Sequence, residues 1–326
     1  MVKPLLLAQP YDAPMPAPIL VTGSHRSGTA WTGRMLALSP GVGYVHEPFN
    51  VARWPGWTRR PLPHWYQYVC EDNEAAYVDL VDDILRFRYP LMNLLAVRDL
   101  RHLAQVGGEW PPASFNRLRR ARPLMKDPIA LMSAEWLARR FHMQIVVMIR
   151  HPAAFAGSIK RLDWRFDFRN WADQPLLLQH LAGPYEREIR SFIERERDVI
   201  DQAVLMWNVT HHVIMGYRDR HPDWLYVRHE DLSEQPVDGF RELYQRLDLR
   251  WNQRVERAIL RSSTATSRRE VPTYLHRTVR RHSQAARWTW AHRLNPQEQE
   301  RVREGTAKLA SAFYGEEDWI PPEKAL

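Results

Sequence analysis

A short glycine-containing loop is the strongest candidate for chemistry in this sequence. Gly23 and Gly28 have the G-x-x-x-x-G spacing of phosphate-binding loops, and Arg26 lies between them. Such a loop, placed between a buried strand and a helix, presents backbone N–H groups and the positive end of the helix dipole to an anion. Thr29-Ala30 stands where a magnesium-binding nucleotide loop has Lys-Ser/Thr. We therefore expect a phosphate site that lacks this metal arrangement.

The segment Arg26-Ser27-Gly28-Thr29, followed by an apolar helix with Trp31, resembles the 5′-phosphosulfate loop of sulfotransferases. The resemblance, to the bacterial and carbohydrate-type enzymes, implies 3′-phosphoadenosine 5′-phosphosulfate (PAPS) as the donor. The product would be adenosine 3′,5′-bisphosphate (PAP), and no metal would be needed. The loop residues implied in donor binding are Arg26, Ser27, Gly28, Thr29, Ala30 and Trp31.

Two further segments resemble the parts of this family that hold the 3′-phosphate of the donor. Arg150 ends an apolar run, and Ser158 follows about two turns into the next predicted helix. A guanidinium can bind phosphate bidentately while a hydroxyl adds a neutral donor. Near the carboxyl end, 280–283 resembles the family's Arg-x-Gly stretch, with Ser283 in place of glycine, and implies Arg281 at the same phosphate.

The segment 226–232 resembles a family strand that ends in an aromatic residue or histidine followed by Glu-Asp-Leu. The resemblance implies that His229 lies near the adenine or its phosphates. The alternative is a packed or solvated histidine at the end of a strand.

The same resemblance implies which side chains carry the reaction. Sulfuryl transfer needs donors that stabilise charge on the leaving oxygens and a base that takes the acceptor proton. Arg26 and Lys126 would be the donors, and Glu47 matches the family's Glu-Pro element, in which glutamate is the base. A partly desolvated cleft would raise the pKa of Glu47 toward neutrality. His46 is the competing base, since strand alternation would let only one of the two face the acceptor; His25 is a third candidate.

These residues require elements that bring distant parts of the chain together. Apolar runs predict strands at 19–22, 144–149 and 224–227, and helical spacing predicts helices at 29–38, 133–141, from 152, at 203–217 and at 240–247. The alternation predicts an α/β domain with a central parallel β-sheet flanked by helices and a ligand site at the carboxyl ends of the strands. The resemblance implies the P-loop NTPase-like sulfotransferase fold.

The chain is expected to form a flexible leader at 1–18 and a single sulfotransferase domain at 19–326. Two irregular segments, 50–123 and 162–185, are rich in Trp, Pro and Arg. They predict either lids over the acceptor site or surface helices with loops. Their tryptophans would stack on a sugar or pack in the core, and core packing is favoured.

Composition narrows the class of protein. With 44% hydrophobic and 26% charged residues, 326 residues suit a globular enzyme, and the net charge of +8 favours an anionic ligand. Cys70 is the single cysteine, which excludes an intrachain disulfide and an all-cysteine metal site. A reducing compartment, the cytoplasm, is therefore expected. No stretch approaches the roughly 20 apolar residues of a membrane span.

The acceptor is expected to be a hydroxyl on a carbohydrate, a lipid or a secondary metabolite, and the sequence leaves open whether the protein is a homodimer. The rival enzyme is a P-loop nucleotide kinase or NTPase, against which the missing Lys-Ser/Thr after Gly28 argues. A nucleic-acid-binding protein would suit the charge, but the sequence contains no recognisable binding module. No nucleic-acid partner is therefore expected.

Overall fold

Five parallel strands form the sheet predicted for the centre of the molecule. The computed structural model describes residues 16–263 and 287–322. The strands lie in the order β2-β3-β1-β4-β5, and every neighbouring pair is parallel. They are β1 Ile19–Gly23, β2 Val42–His46, β3 Arg122–Lys126, β4 Gln144–Ile149 and β5 Leu225–Arg228. The predicted fold class, a central parallel sheet flanked by helices, is confirmed.

Helices cover both faces of the sheet. Leu20 and Val147 pack into one apolar cluster, whereas Val21 and Val146 pack into another on the opposite face. No helix within 16–263 and 287–322 is long and apolar enough to cross a bilayer. The helices of the described residues are α1 Thr29–Leu36, α2 Val78–Leu85, α3 Leu100–Leu118, α4 Ala134–Phe141, α5 Pro152–Leu162, α6 Arg169–Ala172, α7 Pro175–Leu177, α8 Glu186–Glu194, α9 Val199–Arg220, α10 His229–Glu234, α11 Pro236–Arg246, α12 Gln253–Ser263, α13 Trp290–Arg293 and α14 Pro296–Ala310.

The carboxyl ends of the strands meet at one edge of the sheet. Lys126 is in register with His46 on β2 and with Val21 on β1, and Ile149 is in register with Arg228. From β1 the chain continues to β2 and β3 on one side and then to β4 and β5 on the other. Such a reversal of strand order opens a crevice for a ligand at the carboxyl ends. The loops after all five strands therefore surround one site.

The interior strand β3 was not among the predicted strands. It begins with Arg122 and Pro123 and ends with Lys126, so it lacks the uninterrupted apolar run of a buried parallel strand. Arg122 is buried because its guanidinium donates to the carbonyls of Ala17 at 2.7 Å and Leu247 at 2.6 Å. Lys126 ends this strand, which lies between β2 and β1 in the sheet.

The two irregular segments pack against the main core. The first contains α2 and α3, and its buried apolar residues belong to the same cluster as those of α9 and as Val147 of β4. Trp57 of the first segment and Trp171 of the second are buried, whereas Trp65 and Trp164 are half-buried. Core packing, the favoured role for the tryptophans, therefore holds for Trp57 and Trp171.

Candidate active site

The loop after β1 folds into a turn suited to an anion. The carbonyl of Ser24 accepts hydrogen bonds from the amide of Ser27 at 3.2 Å and from its hydroxyl at 2.5 Å, which closes the turn. Gly28, with a left-handed φ of 95°, precedes α1, and no side chain caps this helix. The first amides of α1, from Thr29 and Ala30, therefore lack an intrahelical acceptor and lie at the positive end of the helix dipole.

Gly28 lies directly against the end of β5. A Cβ at this position would overlap Nδ1 of His229, so only glycine leaves room for the imidazole. This Nδ1 is buried and has no hydrogen-bond partner within the described part of the chain. The ring of Trp31 meets His229 edge-on with centroids 5.8 Å apart, and its Nε1 donates to Ser262 at 2.9 Å. The loop, the start of α1 and the end of β5 thus form one wall.

Arg26 connects the loop to the region predicted for the second phosphate. Its Nε donates to Oγ of Ser158 at 3.0 Å, although the two residues are 132 positions apart. Ser158 is buried on α5, whereas Arg26 is exposed and has a left-handed backbone. Arg150, at the end of β4, is also buried. The predicted residues of the two phosphate sites therefore meet at one edge of the sheet.

Glu230 is a buried carboxylate whose role sequence reasoning missed. Its Oε1 lies 3.4 Å from Nε of Arg150 and accepts a hydrogen bond from the backbone N–H of His151 at 3.2 Å. Its Oε2 accepts one from the hydroxyl of Tyr314 at 3.0 Å. Glu230 therefore joins the end of β5 to the β4–α5 junction and orients Arg150. The Glu-Asp-Leu pattern was the signal, but it drew attention to the adjacent histidine.

A buried Lys126 and a partly exposed Glu47 form an ion pair at the ends of β3 and β2. The ammonium of Lys126 contacts Oε1 of Glu47, and Asn50 donates to Oε2 at 2.8 Å. Burial is the largest influence on the pKa of Glu47 and would raise it, but the charges of Lys126 and His46 and the hydrogen bonds from Lys126 and Asn50 together outweigh burial and hold this pKa well below its ordinary value. The expected upward shift is therefore wrong for the protein in this state. Glu47 is a weak base as long as Lys126 pairs with it.

His46 lies beside this ion pair. Its Nδ1 is 3.2 Å from the hydroxyl of Tyr44, and burial, reinforced by the Lys126 charge, holds its pKa well below the ordinary value. At Glu47 the backbone turns left-handed, with φ of 48°, so the alternation of the strand ends there. Strand alternation therefore does not apply to Glu47, which lies beyond β2, and the choice between the two candidate bases stays a prediction. Lys126 acts on the pKa values of both candidate bases.

His25 packs beneath the loop. Its Nδ1 contacts the hydroxyl of Tyr66, and its ring lies edge-on to Trp164 with centroids 3.9 Å apart. Burial, followed by the charge of Arg26, holds the pKa of His25 well below its ordinary value. A neutral, enclosed imidazole suits support of the loop better than proton transfer to a substrate.

Arg281 lies outside the described residues, so its predicted contact with a phosphate stays a prediction. Within 16–263 and 287–322, no group of three or more His, Cys, Asp or Glu side chains could hold a metal ion.

Comparisons with known proteins agree with the motifs. The model of the Sulfotransferase family matches residues 18–253. The sulfotransferase domain of the Synechococcus PCC 7002 olefin synthase is 18% identical, with a TM-score of 0.48 over 97% of this chain and 100% of that one. The sulfotransferase domain from the curacin biosynthetic pathway is 14% identical, with a TM-score of 0.46 over 90% and 99%. A sulfotransferase from Mycobacterium avium is 17% identical, with a TM-score of 0.43 over 93% and 78%.

No curated protein sequence is significantly similar to the chain. The family match nevertheless spans well over half of its length, from before β1 to the start of α12. The chain belongs to the sulfotransferase family.

Proposed function

We propose that the protein transfers a sulfuryl group from PAPS to the hydroxyl of an acceptor. The hydrogen bond between Arg26 and Ser158, 3.0 Å long, is the observation that carries this proposal. It joins a loop suited to a 5′-phosphate to a buried hydroxyl near Arg150. A donor that bears phosphates at both the 5′ and 3′ positions needs two such anion sites side by side.

The polar groups of the site fit such a donor. On the 5′ side, the uncapped start of α1 offers backbone N–H groups, and glycine at position 28 permits close approach. On the 3′ side, Nε of Arg150 lies 3.4 Å from Oε1 of Glu230. A dianionic phosphate would compete for this guanidinium and for the contact between Arg26 and Ser158. The phosphate oxygens of the donor would thus replace Glu230 as the partner of Arg150, and Ser158 as the partner of Arg26.

The reaction forms one bond and breaks one. The acceptor oxygen attacks the sulfur of PAPS, the bond from sulfur to the bridging phosphate oxygen breaks, and PAP leaves with the electron pair. The acceptor proton passes to a base, for which we propose Glu47. Lys126 and Arg26 stabilise the negative charge that develops on the bridging oxygen.

Pairing with Lys126 gives Glu47 a conditional role. The carboxylate is a weak base while the ammonium contacts it, because the pair holds its pKa low. A sulfuryl donor brings negative charge that competes for the same ammonium. When Lys126 turns toward the donor, the remaining burial of Glu47 raises its proton affinity. The base thus becomes effective when the donor is present.

The acceptor is proposed to be a hydroxyl-bearing carbohydrate, lipid or secondary metabolite. We place the reaction in the cytoplasm, since Cys70 is the single cysteine of the chain. The rival activity, Mg²⁺-dependent nucleotide phosphoryl transfer, has no support from Thr29-Ala30, which follow Gly28 in place of Lys-Ser/Thr.

Thermal unfolding with three nucleotides tests the donor directly. A ligand that binds only the folded state stabilises it by about 2.7 kcal/mol at a hundredfold excess over its Kd. We expect PAP to raise the melting temperature well above the values reached with equal concentrations of AMP or Mg²⁺-ATP. A larger shift with Mg²⁺-ATP than with PAP would favour the nucleotide kinase or NTPase and contradict the proposal.

A further inference from the structure

Helix α3 exposes apolar residues on the side that faces away from the protein. Its buried residues are Val106, Ala113 and Asn116. The opposite side carries large exposed apolar residues at helical spacing: Leu100, Leu103, Trp110, Phe115 and Leu118. The side chains of Leu100 and Leu118 are 83% and 84% exposed. A helix packed on a globular core normally presents polar residues to water, so α3 has the reverse arrangement.

The 3-10 turn Leu91–Ala96, just before α3, extends this surface. Leu91, Met92, Leu94 and Leu95 are all exposed, Leu95 to 92%. Of the 11 large apolar side chains that are exposed within the described residues, nine lie between positions 91 and 118. We call these nine residues the apolar patch. Such a concentration marks an interaction site rather than ordinary surface.

Arginines border the apolar patch. Arg98, Arg101 and Arg117 are exposed. Arg101 follows Leu100 and Arg117 precedes Leu118, so each lies about 100° of helix rotation from an apolar residue at one end of α3. Asp99 accepts the amide of His102 at 2.8 Å and keeps its negative charge, whereas the charge of Glu109 is compensated by an ion pair with Arg53. One uncompensated carboxylate thus stands against three arginines. The border is therefore positive. It suits an anionic surface and disfavours a second copy of a chain with net charge +8.

The side of α3 that faces the protein contacts the short turn that follows Glu47. Glu109 forms an ion pair with Arg53, and Nε2 of Gln105 donates to the carbonyl of Arg53 at 2.6 Å. Arg53 ends the short turn that Asn50 caps, and Asn50 also holds Glu47 at 2.8 Å. The apolar patch is thus joined to the proposed base through a few residues.

We propose that the apolar patch docks on an anionic phospholipid bilayer. The apolar residues enter the headgroup region, Trp110 lies at the interface, and the flanking arginines meet acidic headgroups. Together with the proposed function, on which this consequence rests, docking makes the acceptor an amphiphilic lipid whose hydroxyl stays at the membrane surface. The docking itself does not depend on that function.

Co-sedimentation of the full chain with vesicles tests the proposal. We expect the protein to bind vesicles of phosphatidylcholine mixed with phosphatidylglycerol, and to bind phosphatidylcholine alone far less. The triple variant Leu100→Ser, Trp110→Ser, Leu118→Ser should partition roughly tenfold or more weakly, as should Arg101→Glu with Arg117→Glu. The matched control Leu260→Ser with Ile320→Ser changes exposed apolar residues elsewhere and should bind as the unmodified chain does.

Equal binding by the triple variant and the unmodified chain, or equal binding to both kinds of vesicle, would overturn the proposal. So would ultracentrifugation without lipid in which the unmodified chain is dimeric and the triple variant monomeric, because the apolar patch would then be a self-interface. The PAP-induced thermal shift separates the two claims. If PAP still raises the melting temperature of the triple variant, the variant is folded. If PAP does not raise the melting temperature of the unmodified chain, the proposed function is refuted and the docking result still stands.

Discussion

At the scale of single residues, Glu47 and Lys126 shift each other's pKa, and we propose that this coupling governs the chemistry. In the structure the ammonium contacts the carboxylate, and the resulting pair holds the pKa of Glu47 low. Lys126 is buried and Glu47 is mostly shielded from water, so each needs the other to compensate for lost hydration. A donor that attracts Lys126 therefore changes the basicity of Glu47 at the moment when a base is needed.

Replacing Glu47→Gln should lower turnover strongly without weakening the binding of PAP, because the change also frees Lys126 for the nucleotide. Glutamine keeps the shape and can still accept the hydrogen bond from Asn50, but it cannot take a proton at neutral pH. Loss of a general base costs roughly 10²–10⁴-fold in rate. Release of PAP from PAPS in the presence of acceptor measures the rate, and calorimetry measures the affinity. His46→Gln is the matched control; the reverse result, with activity lost in His46→Gln alone, would assign the base to His46.

Local patterns identified Arg26 and Ser158, but their contact could not be read from the sequence. Each was chosen for its place after a strand or within a helix, and the hydrogen bond between them follows from the strand order. The same holds for Glu230, whose three partners come from the β4–α5 junction and from the chain after α14. The pKa direction of Glu47 was likewise hidden, because it depends on a lysine that lies on another strand.

At the scale of elements, uninterrupted apolar runs decided what could be predicted. The strand at 144–149 matches β4 in both bounds, and the predicted helix at 203–217 lies within α9, Val199–Arg220. Strand β3 could not be recognised, since Pro123 and two cationic residues replace part of the run. Arg122 fits there only because distant carbonyls accept its hydrogen bonds. No local pattern contains those partners.

The junction between β1 and α1 should not tolerate a side chain at position 28. In Gly28→Ala the added Cβ would overlap Nδ1 of His229, and the left-handed φ of 95° would strain alanine. We expect weaker calorimetric binding of both PAP and AMP, since the 5′ side of the site is affected. Adding His229→Ala should recover part of the loss by removing the overlap. Unchanged affinity in Gly28→Ala would show that the loop is not part of the site.

At the scale of the whole molecule, burial of His151 makes the stability of the folded state depend on pH. Its ring packs against Trp319 and Tyr314 at centroid distances of 4.4 and 4.8 Å, and burial lowers its pKa from 6.5 to about 4. Between these values the unfolded chain binds a proton that the folded chain excludes. Stability therefore falls as pH falls through this window.

Replacing His151→Phe should flatten this pH dependence while retaining an aromatic ring in the core. One proton accounts for at most about 1.4 kcal/mol of unfolding free energy per pH unit. Urea unfolding at several values between pH 6.5 and pH 4 measures the slope. His211, whose pKa burial lowers to about 3, should leave a residual slope in the variant. Parallel stability curves for the variant and the unmodified chain would contradict the assignment.

The central claim is that two phosphate sites meet where Arg26 contacts Ser158, and calorimetry with paired ligands tests it most directly. Ser158→Ala should weaken PAP binding by about 1.5–3 kcal/mol, roughly tenfold to a hundredfold in Kd, and leave AMP binding nearly unchanged. The exposed Ser311→Ala serves as control. The account predicts that the preference of the protein for PAP over AMP shrinks in Ser158→Ala alone. Equal losses for PAP and AMP, or no preference for PAP in the unmodified chain, would contradict it.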